Sequence, residues 1–274
     1  MRGHGLGWPL GCLDRVGLVK ALAAMRPCVS VITAAHNAEQ EIRRALDSVA
    51  AQSWPVLEHI VIDDGSDDNT SGVVERRGDA RTVRLLRQAR AGAAAARNRG
   101  IALARGRYIA FLDSDDEWLP GKLATQIGFM EDSGTRFSYG DYLRCHHQSR
   151  VTLGAVLTPD QLSHADFLRG CPIGCLTVAY NQEALGKVFM PLVWRGHDWG
   201  LWLALTRTGA IGRRYPGVEA VYSVQRGSLS AHKLRKARDI YRIYRREEGL
   251  GPLRSAWLLG LHSLNSFRPY KRMD

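Results

Sequence analysis

The first half of the chain alternates short apolar, β-rich runs with helical stretches, and this rhythm restricts the fold more than any other feature. The β-rich runs cover 29–34, 57–62, 82–86 and 108–112, and helical patterns occupy 39–51 and 91–104. Strands that alternate with helices in this way form a parallel sheet, because each helix returns the chain to the edge where the strand began. The sequence therefore predicts an α/β fold.

Two acidic clusters directly follow predicted strands. The first spans 63–68, and the second is Asp113-Ser114-Asp115-Asp116. Ligands of open α/β sheets bind outside the carboxyl ends of the strands, where both clusters lie. The carboxylates of Asp113 and Asp115 suit a divalent cation, Mn²⁺ or Mg²⁺, that also binds a diphosphate, although turns and helix caps use the same residue type.

The first cluster resembles a calcium loop in composition only. An EF-hand requires glycine at its sixth position, where this chain has Asp68. Two interpretations remain. Either a carboxylate accepts the imide N–H of uracil, or the cluster is a turn that caps the following helix.

The segment from Gly92 to Gly100 is rich in alanine and does not have the G-x-G-x-x-G spacing of a dinucleotide-binding loop. Small residues here would let a helix pack closely on the sheet. Arg97 has two interpretations: it neutralises a donor phosphate, or it is an ordinary surface arginine.

The chain has 274 residues, 45% of them hydrophobic, and a net charge of +11. These values favour one globular catalytic domain. From Arg226 to the end, twelve Lys or Arg face four Asp or Glu, which leaves a net charge of +8 in that segment. Such a surface attracts anionic lipid, nucleic acid or a phosphate-bearing acceptor, and it also occurs as a solvated helix face.

Apolar residues of the basic tail recur at helical spacing, and they predict an amphipathic helix pair that either packs on the core or contacts a membrane: Leu253, Trp257, Leu258 and Leu261. At the other end, residues 1–26 are predicted to be a disordered extension. The five cysteines have no disulfide-framework spacing and indicate free thiols in a reducing compartment.

Four segments, in this order along the chain, resemble the successive motifs of family 2 glycosyltransferases: Val29–Asn37, Val61–Thr70, Ala96–Asn98 and Tyr108–Asp116. The resemblance covers roughly 28–126. It implies a GT-A fold, in which a Rossmann-like mixed sheet flanked by helices binds a nucleotide-sugar donor, a UDP-sugar by family preference.

Carried over position by position, the resemblance assigns donor-site roles to six residues of the first half. Ala34 and His36 lie beside the nucleotide, Asp64 binds the base, Arg97 the phosphate and Asp113 the ribose, and Asp115 holds the metal. Asp63 and Asp116 are second choices. Many relatives have Pro and Tyr where this chain has Ala35 and His36, so base stacking is expected to differ here.

The second half resembles the family at Gly196–Trp202, where a catalytic carboxylate precedes a helix. The resemblance makes Asp198 the general base, with His197 in place of the more usual acidic neighbour. An aspartate at this position also suits a helix N-cap. Looser similarity at 169–177 and 222–230 to bacterial surface-polysaccharide and lipopolysaccharide transferases implies a polyprenyl-diphosphate-linked acceptor at the cytoplasmic face of the inner membrane.

The expected organisation is a catalytic domain at 27–225, divided into a donor half (27–130) and an acceptor half (131–225), followed by a basic helical tail at 226–274. The expected activity is an inverting sugar transfer that needs a divalent metal. The alternatives are a nucleotidyltransferase, whose Gly-rich phosphate loop is missing after the first strand, and a non-catalytic basic protein that binds nucleotides or nucleic acid. No nucleic-acid partner is expected, because no known binding signature accompanies the charge.

Overall fold

The computed structural model describes residues 28–77, 82–224 and 233–265. The strands are β1 (Val29–Ala35), β2 (Val56–Asp64), β3 (Val83–Gln88), β4 (Tyr108–Phe111), β5 (Glu117–Trp118), β6 (Phe137–His146), β7 (Thr152–Val156), β8 (Gln161–Leu162), β9 (Ala179–Asn181) and β10 (Gly212–Val224). The helices are α1 (Ile42–Ala50), α2 (Thr70–Arg77), α3 (Ala93–Leu103), α4 (Lys122–Ser133), α5 (His164–Arg169), α6 (Gln182–Leu185), α7 (His197–Arg207), α8 (Lys233–Arg246) and α9 (Pro252–Asn265).

The strands of the described residues form one mixed sheet with the order β3-β2-β1-β4-β9-β6-β10-β5, to which β7 and β8 add at β6 and β10. The first four strands are parallel, as the alternating pattern predicts. β9 runs antiparallel to both β4 and β6 and so joins the two halves of the sheet. The α/β prediction is confirmed.

The register brings the carboxyl ends of the parallel strands to one level. Ala35 pairs with Asp63 across β1 and β2, and Asp64 pairs with Gln88 across β2 and β3. On the other side of β1, the Leu112 amide donates to the Ile32 carbonyl at 3.1 Å, which places the second acidic cluster beside the first.

The tail contains the predicted helix pair. The inner face of α8 joins the main hydrophobic core through Ile240, Ile243 and Tyr244, all buried, and α9 contributes Leu258. Core packing therefore accounts for one face of the pair. None of the helices in the described segments is long and apolar enough to span a bilayer. The predicted extension at 1–26 lies outside the described residues.

The four cysteines in the described ranges, Cys28, Cys145, Cys171 and Cys175, are free thiols, in agreement with the sequence-based expectation.

Glycine in α3 allows the helix to approach the sheet closely. A Cβ at Gly100 would lie 2.5 Å from Cγ2 of Ile32 in β1. Both residues belong to the buried interface on which α3 rests, so neither has room to move away.

We expect Gly100→Ala to lower the free energy of unfolding by about 1–3 kcal/mol, because the added methyl overpacks the contact with Ile32. Gly128→Ala in α4 is the matched control, since nothing lies within 4 Å of its added Cβ. Relief of glycine's backbone entropy cost should raise its stability by about 0.5–1 kcal/mol. Urea denaturation measures the free energy of unfolding of each variant, and equal changes in the two variants would contradict the packing argument.

Candidate active site

The Asp64 carboxylate at the end of β2 is buried, and both of its oxygens accept hydrogen bonds within the protein. It accepts hydrogen bonds from Gln88 Nε2 and from the backbone amides of Ala91 and Gly92, each at 2.8 Å. Gly92 has φ 93°, a conformation that favours glycine, and it directly precedes α3. Asp64 therefore fixes the loop that leads into α3, and its contact with a base stays a prediction.

His36 and Asp64 are brought together across the ends of β1 and β2. Nδ1 of His36 lies 3.0 Å from the backbone carbonyl oxygen of Asp64, and because a carbonyl oxygen only accepts, Nδ1 is the donor. The half-buried Ala34 lies two residues earlier, on the same strand end. The Nε2 edge of His36 is thereby oriented by the fold.

The neighbouring Asp63 folds the first acidic cluster onto itself. Its carboxylate accepts from the Ser66 amide at 2.9 Å, from the Ser66 hydroxyl at 2.6 Å and from the Ser71 hydroxyl. Burial alone would raise the pKa of Asp63, but these hydrogen bonds outweigh it and lower the pKa. Asp68 in turn accepts from the Thr70 amide at the start of α2. The cluster thus has the turn-and-cap role that the sequence allowed.

Arg97 is buried and joins three elements. From α3 its guanidinium donates to the Asp113 carboxylate after β4 and to Nε2 of His197 in α7, the latter at 2.6 Å. Although burial opposes its charge, the Asp113 carboxylate keeps the pKa of Arg97 above the ordinary value. The alternative of an ordinary surface arginine is wrong.

The contact with Arg97 determines the state of His197. Because a guanidinium only donates, Nε2 of His197 accepts and the ring proton lies on Nδ1. Burial and the Arg97 cation lower the pKa of His197, which keeps the imidazole neutral.

The second acidic cluster gathers three carboxylates in four residues. Burial and the charge of Asp113 raise the pKa of Asp115 to about 6. Asp116 is buried; its Oδ1 accepts from the Ser223 amide in β10 at 2.8 Å, and its Oδ2 has no hydrogen-bond partner within the described chain. Crowded carboxylates with an unpartnered buried oxygen fit a hard divalent cation, whose charge would relieve their repulsion.

Within 28–77, 82–224 and 233–265, no group of three or more His, Cys, Asp and Glu side chains forms a complete metal site. Magnesium is commonly held by one or two carboxylates together with substrate phosphates and water. The cluster matches that mode rather than an all-protein cage.

Asp198 lies in the first turn of α7 and is not its N-cap, because Gly196, with φ 75°, holds that position. The Asp198 carboxylate is close enough to Arg97 and His197 to raise the pKa of each, although other effects are larger. The fold therefore brings Asp198 to the same cluster as Asp113, a convergence of both halves of the sequence.

Sequence reasoning missed the loop before α7. The Trp194 indole is 62% exposed and lies over Gly92, where an added Cβ would come within 3.7 Å of it. Asn98 in α3 fixes this loop, since its side chain donates to the Met190 carbonyl at 2.8 Å and accepts from the Met190 amide at 2.7 Å. The Asn98 motif position was visible in the sequence, but its distant partner was not.

Residues 30–153 match the family model described as Glycosyl transferase family 2. WfaP of Escherichia coli, a UDP-Glc:alpha-D-GlcNAc-diphosphoundecaprenol beta-1,3-glucosyltransferase, is 34% identical over 208 residues, 76% of this chain and 82% of WfaP. TuaG of Bacillus subtilis, a glycosyltransferase assigned to teichuronic acid biosynthesis, is 33% identical over 245 residues, 89% of this chain and 97% of TuaG. This chain belongs to glycosyltransferase family 2.

Solved structures of other glycosyltransferases have the same fold as this family 2 glycosyltransferase. TarS 1–349 of S. aureus superposes with a TM-score of 0.65 at 17% identity, over 88% of this chain and 72% of that one. A mannosyltransferase from Pyrobaculum calidifontis, in complex with GDP-Man and Mn²⁺, gives a TM-score of 0.63 at 21% identity, over 86% and 69%. The GT-A fold and the glycosyltransferase class are confirmed.

We expect His197 of this glycosyltransferase to be mainly neutral at pH 6.5, the ordinary pKa of histidine, with its proton on Nδ1, because burial and Arg97 lower its pKa. Arg97→Gln removes the cation and should move that pKa upward. Arg99→Gln on the same helix, whose guanidinium contacts the Arg87 carbonyl instead, should leave it unchanged. Imidazole ¹⁵N NMR titration measures this, and a protonated wild-type ring at pH 6.5 would contradict the assignment.

Proposed function

We propose that this glycosyltransferase moves a sugar, with inversion, from a UDP-sugar to a glycan linked to polyprenyl diphosphate during bacterial-type polysaccharide synthesis. The observation that carries the proposal is the hydrogen-bonded group Asp113–Arg97–His197, which connects the carboxyl end of the sheet to the helix that bears Asp198. The acceptor class follows the activity named for WfaP, of which this chain spans 82%.

The donor nucleotide is proposed to lie along the ends of β1, β2 and β4. Ala34 and the oriented His36 would flank the base, and Asp64 would contact the base while its carboxylate also holds the loop before α3. Asp113 would contact the ribose, since its partly exposed carboxylate has one oxygen engaged by Arg97. Arg97 would face the phosphates as a buried, permanently charged group.

Asp115 is proposed to hold the divalent metal, Mn²⁺ or Mg²⁺, with Asp113 and Asp116 close by. When bound, such a cation neutralises charge on the departing diphosphate. Asp115 suits this role because burial, and then the charge of Asp113, raise its pKa, and a bound cation would stabilise its ionised form against both effects.

Asp198 is proposed as the general base. Its carboxylate removes the proton from an acceptor hydroxyl, the hydroxyl oxygen bonds to the anomeric carbon, and the bond from that carbon to the nucleoside diphosphate breaks on the opposite face. One displacement inverts the configuration. His197 and Arg97 position this end of α7 and do not take the proton, because the Nε2 lone pair of His197 is already occupied.

The proposed organisation assigns donor binding to 27–130, acceptor binding to 131–225 and surface contacts to the tail from 226. The catalytic domain would work in the cytoplasm, at the inner face of the membrane that holds the lipid-linked acceptor.

Peripheral binding to an anionic membrane is proposed for the tail. Leu253, Trp257 and Leu264 recur on the outer face of α9 and are 87%, 61% and 68% exposed. The adjacent α8 carries seven Lys or Arg and a single Asp. An exposed apolar stripe beside a basic helix is the pattern of interfacial helices that bind anionic lipids.

We expect Asp198→Asn to lower kcat at least about 100-fold with little change in donor affinity, because the base is lost but the shape is kept. Asp115→Asn should raise the metal concentration for half-maximal activity at least about tenfold. Asp132→Asn, an exposed residue at the end of α4, is the matched control. Release of nucleoside diphosphate from a panel of UDP-, GDP- and dTDP-sugars, with and without Mn²⁺, measures these effects. Near-normal turnover of folded Asp198→Asn would refute its role as the base.

For the tail, the double variant Leu253→Gln/Trp257→Gln should bind vesicles of anionic phosphatidylglycerol at least about fivefold more weakly than wild type, since two apolar side chains no longer enter the interface. Val151→Gln, 60% exposed on a loop of the catalytic domain, is the control. Vesicle flotation measures binding. Equal flotation of the wild type and the double variant would show that α9 does not contact the membrane.

A further inference from the structure

A groove of about 300 Å³ lies between α8 and the loop before α7, lined by Leu192, Val193, Arg242, Ile243, Arg246 and Glu247. The buried Ile243 forms its floor, and Leu192, 77% exposed, forms part of its rim. A mainly polar lining with two guanidinium groups therefore meets a few apolar side chains in one concave surface.

The groove borders the helix that carries the proposed base. Cδ1 of Ile243 lies 3.8 Å from the Cβ position of Gly196 and 3.6 Å from that of Gly200, which flank Asp198 in the first turns of α7. On the opposite wall, Leu192 and Val193 immediately precede Trp194. A ligand in the groove would thus lie against the start of the helix that carries Asp198.

The two arginines are one helical turn apart, at positions i and i+4, so their side chains leave the same face of α8. Arg242 has a weak ion pair with Asp239 at 3.6 Å, and Arg246 makes no ion pair with any described residue. The charged residues that line the groove, Arg242, Arg246 and Glu247, have a net charge of +1, and Asp239, outside the lining, partly neutralises Arg242.

Neighbouring arginines have structural contacts instead. Arg245 donates to the Leu250 carbonyl beyond the end of α8, and Arg207 donates to the Glu248 carboxylate and to the Glu247 carbonyl. These contacts stabilise the end of the helix without Arg242 or Arg246. The groove arginines remain available for an anion.

We propose that this groove binds the diphosphate of the lipid-linked acceptor, with Arg242 and Arg246 donating to phosphate oxygens and Leu192, Val193 and Ile243 contacting the first isoprenoid units. The inference rests on the proposed acceptor class and adds the residues that recognise it. Arginine suits phosphate because its planar fork donates two parallel hydrogen bonds.

The test measures binding of farnesyl diphosphate, a soluble isoprenoid diphosphate without sugar, to protein saturated with UDP so that the donor site is filled. Isothermal titration should give a dissociation constant at least about tenfold higher for Arg242→Gln/Arg246→Gln than for wild type. Arg235→Gln/Arg238→Gln removes two exposed charges from the same helix and should change it less than about twofold. Farnesol should bind all three proteins equally weakly.

Binding of farnesyl diphosphate to Arg242→Gln/Arg246→Gln within twofold of wild type would overturn the proposal, as would an equal loss in the control variant. The assay contains no membrane, so a lipid surface cannot account for the effect. It also needs no turnover. Failure of the proposed sugar transfer would appear as no nucleoside diphosphate release by wild type, whereas failure of this inference would appear in the binding constants alone.

Discussion

The ion pair between the buried Arg97 and the partly exposed Asp113 is the interaction on which the arrangement of the site depends. A guanidinium out of water is tolerated only when its charge and donors are satisfied, and here the partners come from the end of β4 and from His197 in α7. Loss of either partner would leave a buried charge. The cation therefore aligns the carboxyl end of the sheet with the helix of Asp198, so one side chain fixes the relative position of the two.

The parallel half of the sheet was predictable because its strands are buried apolar runs separated by helices, so pattern and burial agree. The second half of the sheet was less predictable. β10 contains Arg213, Arg214, Pro216 and Gly217, and its register with β6 shifts between Arg214 and Val218. Irregular pairing removes the period-two signal, and the three-residue β9 is too short to have one. The positions of these strands are set by pairing with residues distant in the sequence, which local patterns do not indicate.

The site shows the same division. Strand-end positions predicted which acidic residues would converge, because the chain direction alone brings them to one edge. What the sequence could not indicate is which atoms remain available. The Asp64 carboxylate accepts hydrogen bonds from the loop before α3, and Arg97 is buried rather than exposed. Their partners lie 16 to 100 residues away in the sequence, so local sequence does not indicate these contacts. Local propensity suggested a helix cap for Asp198, yet Gly196 takes that position.

The proposed reaction holds two anionic substrates at once, and the distribution of charge suits this. The positive charge of Arg97 is already balanced by Asp113, and the crowded carboxylates around Asp115 present a negative field that favours a cation and repels a second phosphate group. An acceptor diphosphate consequently needs its own cations, separate from the donor. The arginines of α8 meet that need because Ile243, between them, packs against the helix of Asp198. On this proposal, α8 of the basic tail belongs to the acceptor side of the enzyme.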